Sequence, residues 1–370
     1  MPDRKTTLKP YLDNDLPAMV DDAKLFAGSA GESPSRYSRS PSMWNAAFKE
    51  LGLDAAYVPF DIRSENLRDF IATVRELPGF IGGNVTVPHK LAIMELLDEI
   101  DPLARSIGAV NTYVRTAEGK LIGYNTDADG LIGSIQRKMP GQSAPFLESV
   151  KGKNTLLLGA GGAGKAAAFI LGSRLDGGTL SIMNRSFERA KELADAVSIS
   201  LPNVQAVPQE DVLGLLSKVD LVVNASTVGQ SGIRHLPGGM ATCLEAFSSL
   251  TPAEPAVLPL GKDEAKFYRA CYDASVMAIH ENNLAAAQAL ARMKPTAAFV
   301  DAVYSPAETV LLRQARLHGH QTLNGKGMLV TQAAESFIKR MARAYLVEAG
   351  YDPDTLYDRV LTTMTEAFGS

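Results

Sequence analysis

Two α/β domains in tandem, an N-terminal one with a mostly parallel sheet and a second of doubly wound type with a cleft between them, are what this chain predicts. Three observations carry the prediction. Short apolar runs alternate with helical patterns from residue 24 to about 130, and a second such series opens at Thr155 after the Pro/Gly-rich segment 138–145. That second series begins with a glycine-rich turn set directly between an apolar strand and an Ala-rich helix. Alternation of this kind builds βαβ units, and 370 residues is ample for two cores.

Residues 1–22 are polar and Pro-punctuated and are expected to be an irregular extension. Residues 25–28 read as a first strand, 44–51 as a continuing helix, 56–60 as a second strand and 65–77 as a second helix. In residues 84–87 Val85 and Val87 alternate with Asn84 and Thr86, so a strand there turns one face apolar and one polar. Pro88 ends that strand and presets the first turn of a helix over 91–97. Lys90 then stands at a helix start, where its charge opposes the macrodipole. It is either solvated or held over a cleft for a purpose.

The second series reads as strands at 155–158, 180–183, 204–207, 220–224 and 298–304, with helices at 165–171 and 187–196. A ligand crevice is expected at the C-terminal ends of those strands. Residues 232–297 read as a mostly helical insertion with a stripe through Phe267, Cys271, Ala274 and Ala278, and a further helix covers 328–347.

Hydrophobic residues at 46% and charged residues at 21% are ordinary for a globular protein, and a net charge of −4 argues against nucleic acid or an anionic membrane as partner. Cys243 and Cys271 lie in no ligand-like spacing, and no apolar stretch has transmembrane length. The start, Met1-Pro-Asp-Arg-Lys, lacks an apolar run, so a cytoplasmic location and a small-molecule partner are expected. No grouping of His, Asp, Glu and Cys has metal-ligand spacing, and no metal is expected.

Gly159, Gly161 and Gly164, with Ala160, Gly162 and Ala163 between them, fit Gly-x-Gly-x-x-Gly. The first glycine permits a tight turn, the second lets backbone approach a pyrophosphate, and the third lets helix pack on strand. A Walker loop is the rival, because Gly159, Gly164 and Lys165 fit its start; it fails at Ala166, where a hydroxyl is needed for magnesium. After the next strand an NAD site places Asp or Glu. Here stand Asn184, Arg185 and Ser186, followed by Arg189, which suits the 2′-phosphate of NADP, with NAD the weaker alternative. The bland alternative is a solvated basic helix start.

The cluster from Gly123 to Gly130 lies at the junction of the two series. Asn125 or Thr126 is placed to cap the next helix, with Asp127 stabilised in its first turn. The functional alternative pairs Asp127 with Lys90 across the interdomain cleft, where lysine and carboxylate take the proton of a secondary alcohol as hydride leaves. Ser38 and Ser40, ahead of Pro41, are N-cap candidates or the hydroxyls of an oxygen-rich ligand site. His89 is the one histidine inside a candidate site.

Taken together these segments resemble the shikimate dehydrogenase family, including its quinate/shikimate relatives. The likeness rests on Ser38-Arg-Ser-Pro41, Asn84-Val-Thr-Val-Pro-His-Lys90, Gly108-Ala-Val-Asn-Thr112 and Gly123-Tyr-Asn-Thr-Asp127. It continues through 159–164, Asn184-Arg-Ser186, Asp301-Ala-Val-Tyr304 and 325–332, and spans about 24–347 apart from the insertion. The resemblance implies reversible NADP-linked oxidation of shikimate to 3-dehydroshikimate, with Lys90 and Asp127 as catalytic pair. It also implies that Ser38, Ser40 and Tyr304 hold the substrate carboxylate, and that Thr86, Asn111 and Gln332 contact ring hydroxyls. Residues 159–164 with Asn184, Arg185, Ser186 and Arg189 would bind NADP, and 224–229, Gly325 and Met328 would lie along the nicotinamide.

The family's C-terminal helices return to the substrate domain, which implies a substrate domain of 23–135 plus 325–370 and a Rossmann-type NADP domain of 136–324 carrying the insertion. Tyr37 and Trp44 stand where relatives usually carry histidine, and the run 28–35 is longer than the family's first loop. These departures leave quinate or aminoshikimate open as substrate. The insertion is read as lid, oligomer contact or decoration, and the protein as monomer or homodimer. A non-catalytic metabolite sensor of the same fold is the alternative from another class; Lys90, Asp127 and the glycine turn together argue against it.

Overall fold

The computed structural model describes residues 3–199 and 202–369. The chain divides into two compact units, one holding the residues up to Pro145 and those from Leu329 onward, the other running from Phe146 to Met328. The units thus divide after Pro145 and Met328, against sequence-based boundaries after 135 and 324. In the first of these stretches Met139 is buried in the first unit's core.

In the first unit β1 (Leu25–Gly31), β2 (Ala55–Asp61), β3 (Phe80–Val85), β4 (Glu99–Ile100), β5 (Thr112–Arg115) and β6 (Leu121–Tyr124) form a sheet of order β2-β1-β3-β5-β6-β4. β1 pairs in parallel with β2 and β3, and β4 with β6, while β5 runs antiparallel to β3 and β6. Successive residues of a strand face opposite sides. Ala27, Tyr57 and Ile81 accordingly enter a core with Trp44 and Phe48 of the helix Ser40–Glu50, Phe337, and Val360 and Leu361 of the helix Tyr357–Gly369. Phe26, Val58 and Phe80 enter the opposite core with Phe70 of the helix Leu67–Glu76.

Two expectations are corrected here. The N-terminal segment is not irregular: it forms the helices Arg4–Leu8 and Met19–Asp22, and Leu8, Leu12, Leu16 and Val20 are buried in the second of those cores. Its apolar residues recur every four positions, a helical signal interrupted by Pro10 and Pro17. The Arg4 guanidinium donates to the carbonyls of Val20 and Ala23, both at 2.7 Å, and ties the segment shut. The second correction concerns residues 86–97. Val87–Pro88 is a cis peptide, and an irregular turn leads to a short 3-10 helix, Ala92–Leu96. Lys90 therefore stands on a turn, its carbonyl accepting from Val110 N at 2.9 Å, and not at a helix N-terminus.

In the second unit β7 (Thr155–Leu158), β8 (Leu180–Met183), β9 (Val204–Ala206) and β10 (Leu221–Asn224) belong to one large sheet. A separate small sheet of β11 (Ile233–Leu236), β12 (Met240–Cys243) and β13 (Leu258–Pro259) follows, and β14 (Ala298–Asp301) and β15 (Gln321–Leu323) complete the large one. The large sheet has order β15-β14-β10-β7-β8-β9 with every pairing parallel. This is the doubly wound Rossmann order, whose direction of growth reverses between β7 and β10.

The insertion is not mostly helical from its start. It opens with the antiparallel sheet β11-β12-β13, over which Phe267 and Cys271 of the 27-residue helix Glu264–Leu290 pack. The helix expected over 328–347 is likewise broken: Lys326–Ser336 passes through a π-type turn, Phe337–Met341, into Arg343–Glu348.

Candidate active site

In the first unit, the ends of β3, β5 and β6 bring the polar residues of three sequence segments together. Lys90 Nζ donates to Asp127 Oδ2 at 2.6 Å, with the two side chains 24% and 15% exposed. Asp127 opens the helix Asp127–Gln136, where free amides favour a carboxylate. Its other oxygen, Oδ1, accepts from Asn111 Nδ2 at 2.8 Å. Asn111 cannot turn its amide over, because its Oδ1 accepts from the Thr126 backbone N at 2.8 Å, a donor by necessity. Gln332 Oε1 closes the group, accepting from Asn111 Nδ2 at 3.3 Å and Thr126 Oγ1 at 3.2 Å. Both carboxylate oxygens of Asp127 are thus committed, and the ammonium is aimed by the acid.

Beneath this group lies a buried polar network whose members had no assigned role in the sequence pattern. Asn84 Nδ2 donates to Thr112 Oγ1 at 2.9 Å and Ser336 Oγ at 3.2 Å, and its Oδ1 accepts from Tyr57 OH at 2.7 Å. Burial holds the Tyr57 phenol well above its ordinary pKa, so it stays a donor. An asparagine inside the buried strand β3 was the signal for this network in the sequence.

Trp44 lies beside it, fully buried and stacked on Tyr57 with ring centroids 4.7 Å apart. It is a core residue. Tyr37 is exposed. Ser38 and Ser40 are half-buried, with Ser38 Oγ accepting from Ser40 N at 3.2 Å, and neither caps the helix Ser40–Glu50. Thr86 is half-buried at the end of β3, and its N donates to Ala30 O at 2.9 Å. His89 is buried, Nε2 lying 2.7 Å from Ile62 O, and is a satisfied core histidine.

In the second unit the glycine turn is built by backbone geometry. Gly159 has φ +106°, and a Cβ there would lie 2.9 Å from Ser226 N. A Cβ on Gly164 would lie 2.1 Å from Gly159 O, so strand and helix meet only without side chains. Gly161 and Gly162 face nothing within 4 Å, leaving open space at the N-terminus of the helix Gly162–Leu175. Ala160 N donates to Asn184 Oδ1 at 3.2 Å, and Asn184 Nδ2 to Ser186 O at 3.0 Å, so Asn184 ties the turn to the end of β8. Ala163 is half-buried in the first turn of that helix. Ser186 caps the helix Phe187–Ser198 through Arg189 N at 3.4 Å. Arg185 and Arg189 are exposed.

Tyr304, Gly325 and Met328 also belong to this unit, apart from the other expected substrate residues, all of which lie in the first. Gly325 N donates to Val303 O at 3.0 Å, and a Cβ on Gly325 would lie 2.1 Å from Ala302 O. A completely buried acid, Asp301, was passed over by sequence reasoning. Burial pushes its carboxyl up to about 6, against the opposing pull of bonds from Thr309, Val303 and Asn224. Among the described residues no group of three or more His, Cys, Asp or Glu is placed to hold a metal ion, and no helix is long and apolar enough to cross a membrane.

Comparison with known proteins gives the chain's family. A family model described as the shikimate dehydrogenase substrate binding domain matches residues 32–113, and one described as shikimate / quinate 5-dehydrogenase matches 143–235. The shikimate dehydrogenase (NADP(+)) of Methanococcus maripaludis strain C6 is 34% identical over 319 residues, 86% of this chain and 92% of its own. A solved shikimate dehydrogenase in complex with NADP+ aligns with a TM-score of 0.65 at 30% identity, covering 93% of this chain and 94% of that one. The shikimate 5-dehydrogenase of Thermus thermophilus, solved with NADP(H) and shikimate, aligns with a TM-score of 0.61 at 28% identity, covering 93% and 98%. This chain belongs to the shikimate dehydrogenase family.

Proposed function

We propose that this chain is an NADP-dependent shikimate dehydrogenase, interconverting shikimate and 3-dehydroshikimate. The observation that carries the reading is the Lys90–Asp127 pair at 2.6 Å, held by Asn111 in a chain of this family. Bound NADP supplies the hydride acceptor. As the ring C–H gives up its hydride, the hydroxyl on the same carbon gives up its proton to Lys90, which passes one of its own to Asp127 along the hydrogen bond between them; the reverse direction returns it. Thr86, Asn111 and Gln332 orient the ring hydroxyls, and Ser38, Ser40 and Tyr304 bind the carboxylate.

The second unit fits the dinucleotide. The open space over Gly161 and Gly162 admits a pyrophosphate at a helix N-terminus, with Ala160 and Ala163 small enough to leave it clear. Arg185 and Arg189 form no ion pair among the described residues and are available for a 2′-phosphate; Asn184 and Ser186 stand beside them, and the phosphate takes the place of Glu188 Oε2, to which Ser186 Oγ donates at 3.0 Å. Gly325 and Met328 lie on the nicotinamide side. The reading includes a cytoplasmic location and a monomeric or homodimeric state.

Initial rates with shikimate and quinate, each with NADP and NAD, test the whole reading. Shikimate with NADP is expected to be the best pair, and absence of turnover with any of the four sinks it. In the same assay Arg185→Ala is expected to raise KM for NADP by about tenfold or more, with little change for NAD. Equal losses for both cofactors remove Arg185 from the 2′-phosphate site.

A further inference from the structure

Asp301 ends β14 in register with Asn224 at the end of β10. It is completely buried, and its carboxylate accepts three hydrogen bonds from its own unit. Thr309 Oγ1 donates to Oδ2 at 2.7 Å, and Val303 N at 2.9 Å and Asn224 Nδ2 at 2.8 Å donate to Oδ1. A carboxylate only accepts, so Asn224 must present its amide NH₂ to Asp301 and its oxygen away. That oxygen accepts from Ser226 N at 3.0 Å and Ser226 Oγ at 2.7 Å. Ser226 Oγ in turn accepts from Val228 N at 3.2 Å, and Val228 O accepts from Asn224 Nδ2 at 3.2 Å. The buried acid and the Ser226 amide therefore fix, from opposite ends, which way the Asn224 side chain faces, and through it the bonds that Asn224 makes to Ser226 and Val228.

This turn lies against the glycine turn. Ala225 N donates to Leu158 O at 2.8 Å, and Ser226 N and Cα come within 2.9 and 3.0 Å of where a Cβ on Gly159 would stand. The two turns follow β10 and β7, the strands between which the sheet order reverses, and so face the crevice where a doubly wound sheet binds its ligand. We propose that Asp301 is a positioning residue for the dinucleotide: through Asn224 it holds the turn 224–228 at a fixed separation from Gly159 and so sets the width of the crevice. The proposal rests on the reading that this unit binds NADP(H).

Titration of the full-length protein with NADPH, followed by nicotinamide fluorescence, tests it. Asp301→Ala is expected to weaken NADPH by about tenfold or more, with a rise in its KM that exceeds the fall in kcat. Asp301→Asn keeps an oxygen for Val303 N and Asn224 and an NH₂ that Thr309 Oγ1 accepts, so it is expected to bind within about twofold of wild type. Should Asp301→Ala fail to fold, Ser226→Ala decides: it leaves the core intact, removes only the bonds of Oγ to Asn224 and Val228, and is expected to weaken NADPH several-fold with a small fall in Tm. Wild-type affinity in Ser226→Ala or Asp301→Ala, or an Asp301→Asn as weak as Asp301→Ala, overturns the positioning role. Failure of the wild type itself to bind NADPH overturns the functional reading instead.

Discussion

The Lys90–Asp127 group of the first unit and the glycine turn of the second are built by opposite means. The first is made of side chains that constrain one another: Asp127 is gripped by Lys90 and Asn111, and Asn111 by Thr126 and Gln332. The second is made by leaving side chains out, at Gly159 and Gly164 so that backbone can meet backbone, and at Gly161 and Gly162 so that nothing fills the space. A side-chain network fails by losing a group, whereas a backbone cradle fails by gaining one. Chemistry is therefore expected to be most sensitive to deletions in the first unit, and cofactor binding to additions in the second.

Lys90→Ala gives the largest expected effect: kcat falls by about 10²–10⁴-fold, the range for a general acid–base group, while NADPH binds as before. A rate within a few-fold of wild type removes Lys90 from proton transfer. The two kinds of glycine separate next. Gly161→Ala meets open space in the protein, so Tm is expected to stay unchanged while KM for NADP rises by about tenfold or more. Gly164→Ala meets Gly159 O at 2.1 Å and is expected to lower Tm as well. Equal Tm values for the two variants contradict the division between packing and ligand glycines.

A pH-dependent effect sharpens the comparison, because the second unit also hides one charge. Asp301 has its carboxyl raised from 3.8 to about 6 by burial. The folded state thus holds a proton more tightly than the unfolded one between those values. Its stabilising contribution is full below the unfolded pKa and is lost as pH rises through about 6. Relative to Asp301→Asn, the wild type is expected to lose on the order of 3 kcal/mol of unfolding free energy between pH 3 and pH 8. Parallel stability-versus-pH curves for the two proteins rule this out.

The two sites also differ in how far they were legible beforehand. The glycine turn was readable because strand, turn and helix are contiguous and each glycine answers a local steric demand. Lys90 was legible only in company: it was placed at a helix start that does not form, and its partner stands 37 residues away. The helices of the N-terminal segment went unseen because Pro10 and Pro17 mask the four-residue spacing of Leu8, Leu12, Leu16 and Val20. The opening of the insertion was misread because strands of two to four residues carry too few alternations to register. Trp44, which departs from the residue usual in relatives, was not legible as a core residue, because its stacking on Tyr57 joins a helix to a strand.

What the sequence determined by itself is whatever depends on neighbours along the chain: the α/β alternation, the conformation needed at Gly159, and an end to β8 with Asn184, Arg185 and Ser186 where an NAD site places an acid. Only the tertiary structure decided which polar residues face one another. Gln332 meets Asn111 across 221 residues, and Asp301 meets Asn224 across 77. Hydrogen bonds are directional and short, so their partners are settled by how sheets and helices pack, and that packing joins segments whose local patterns carry no record of each other.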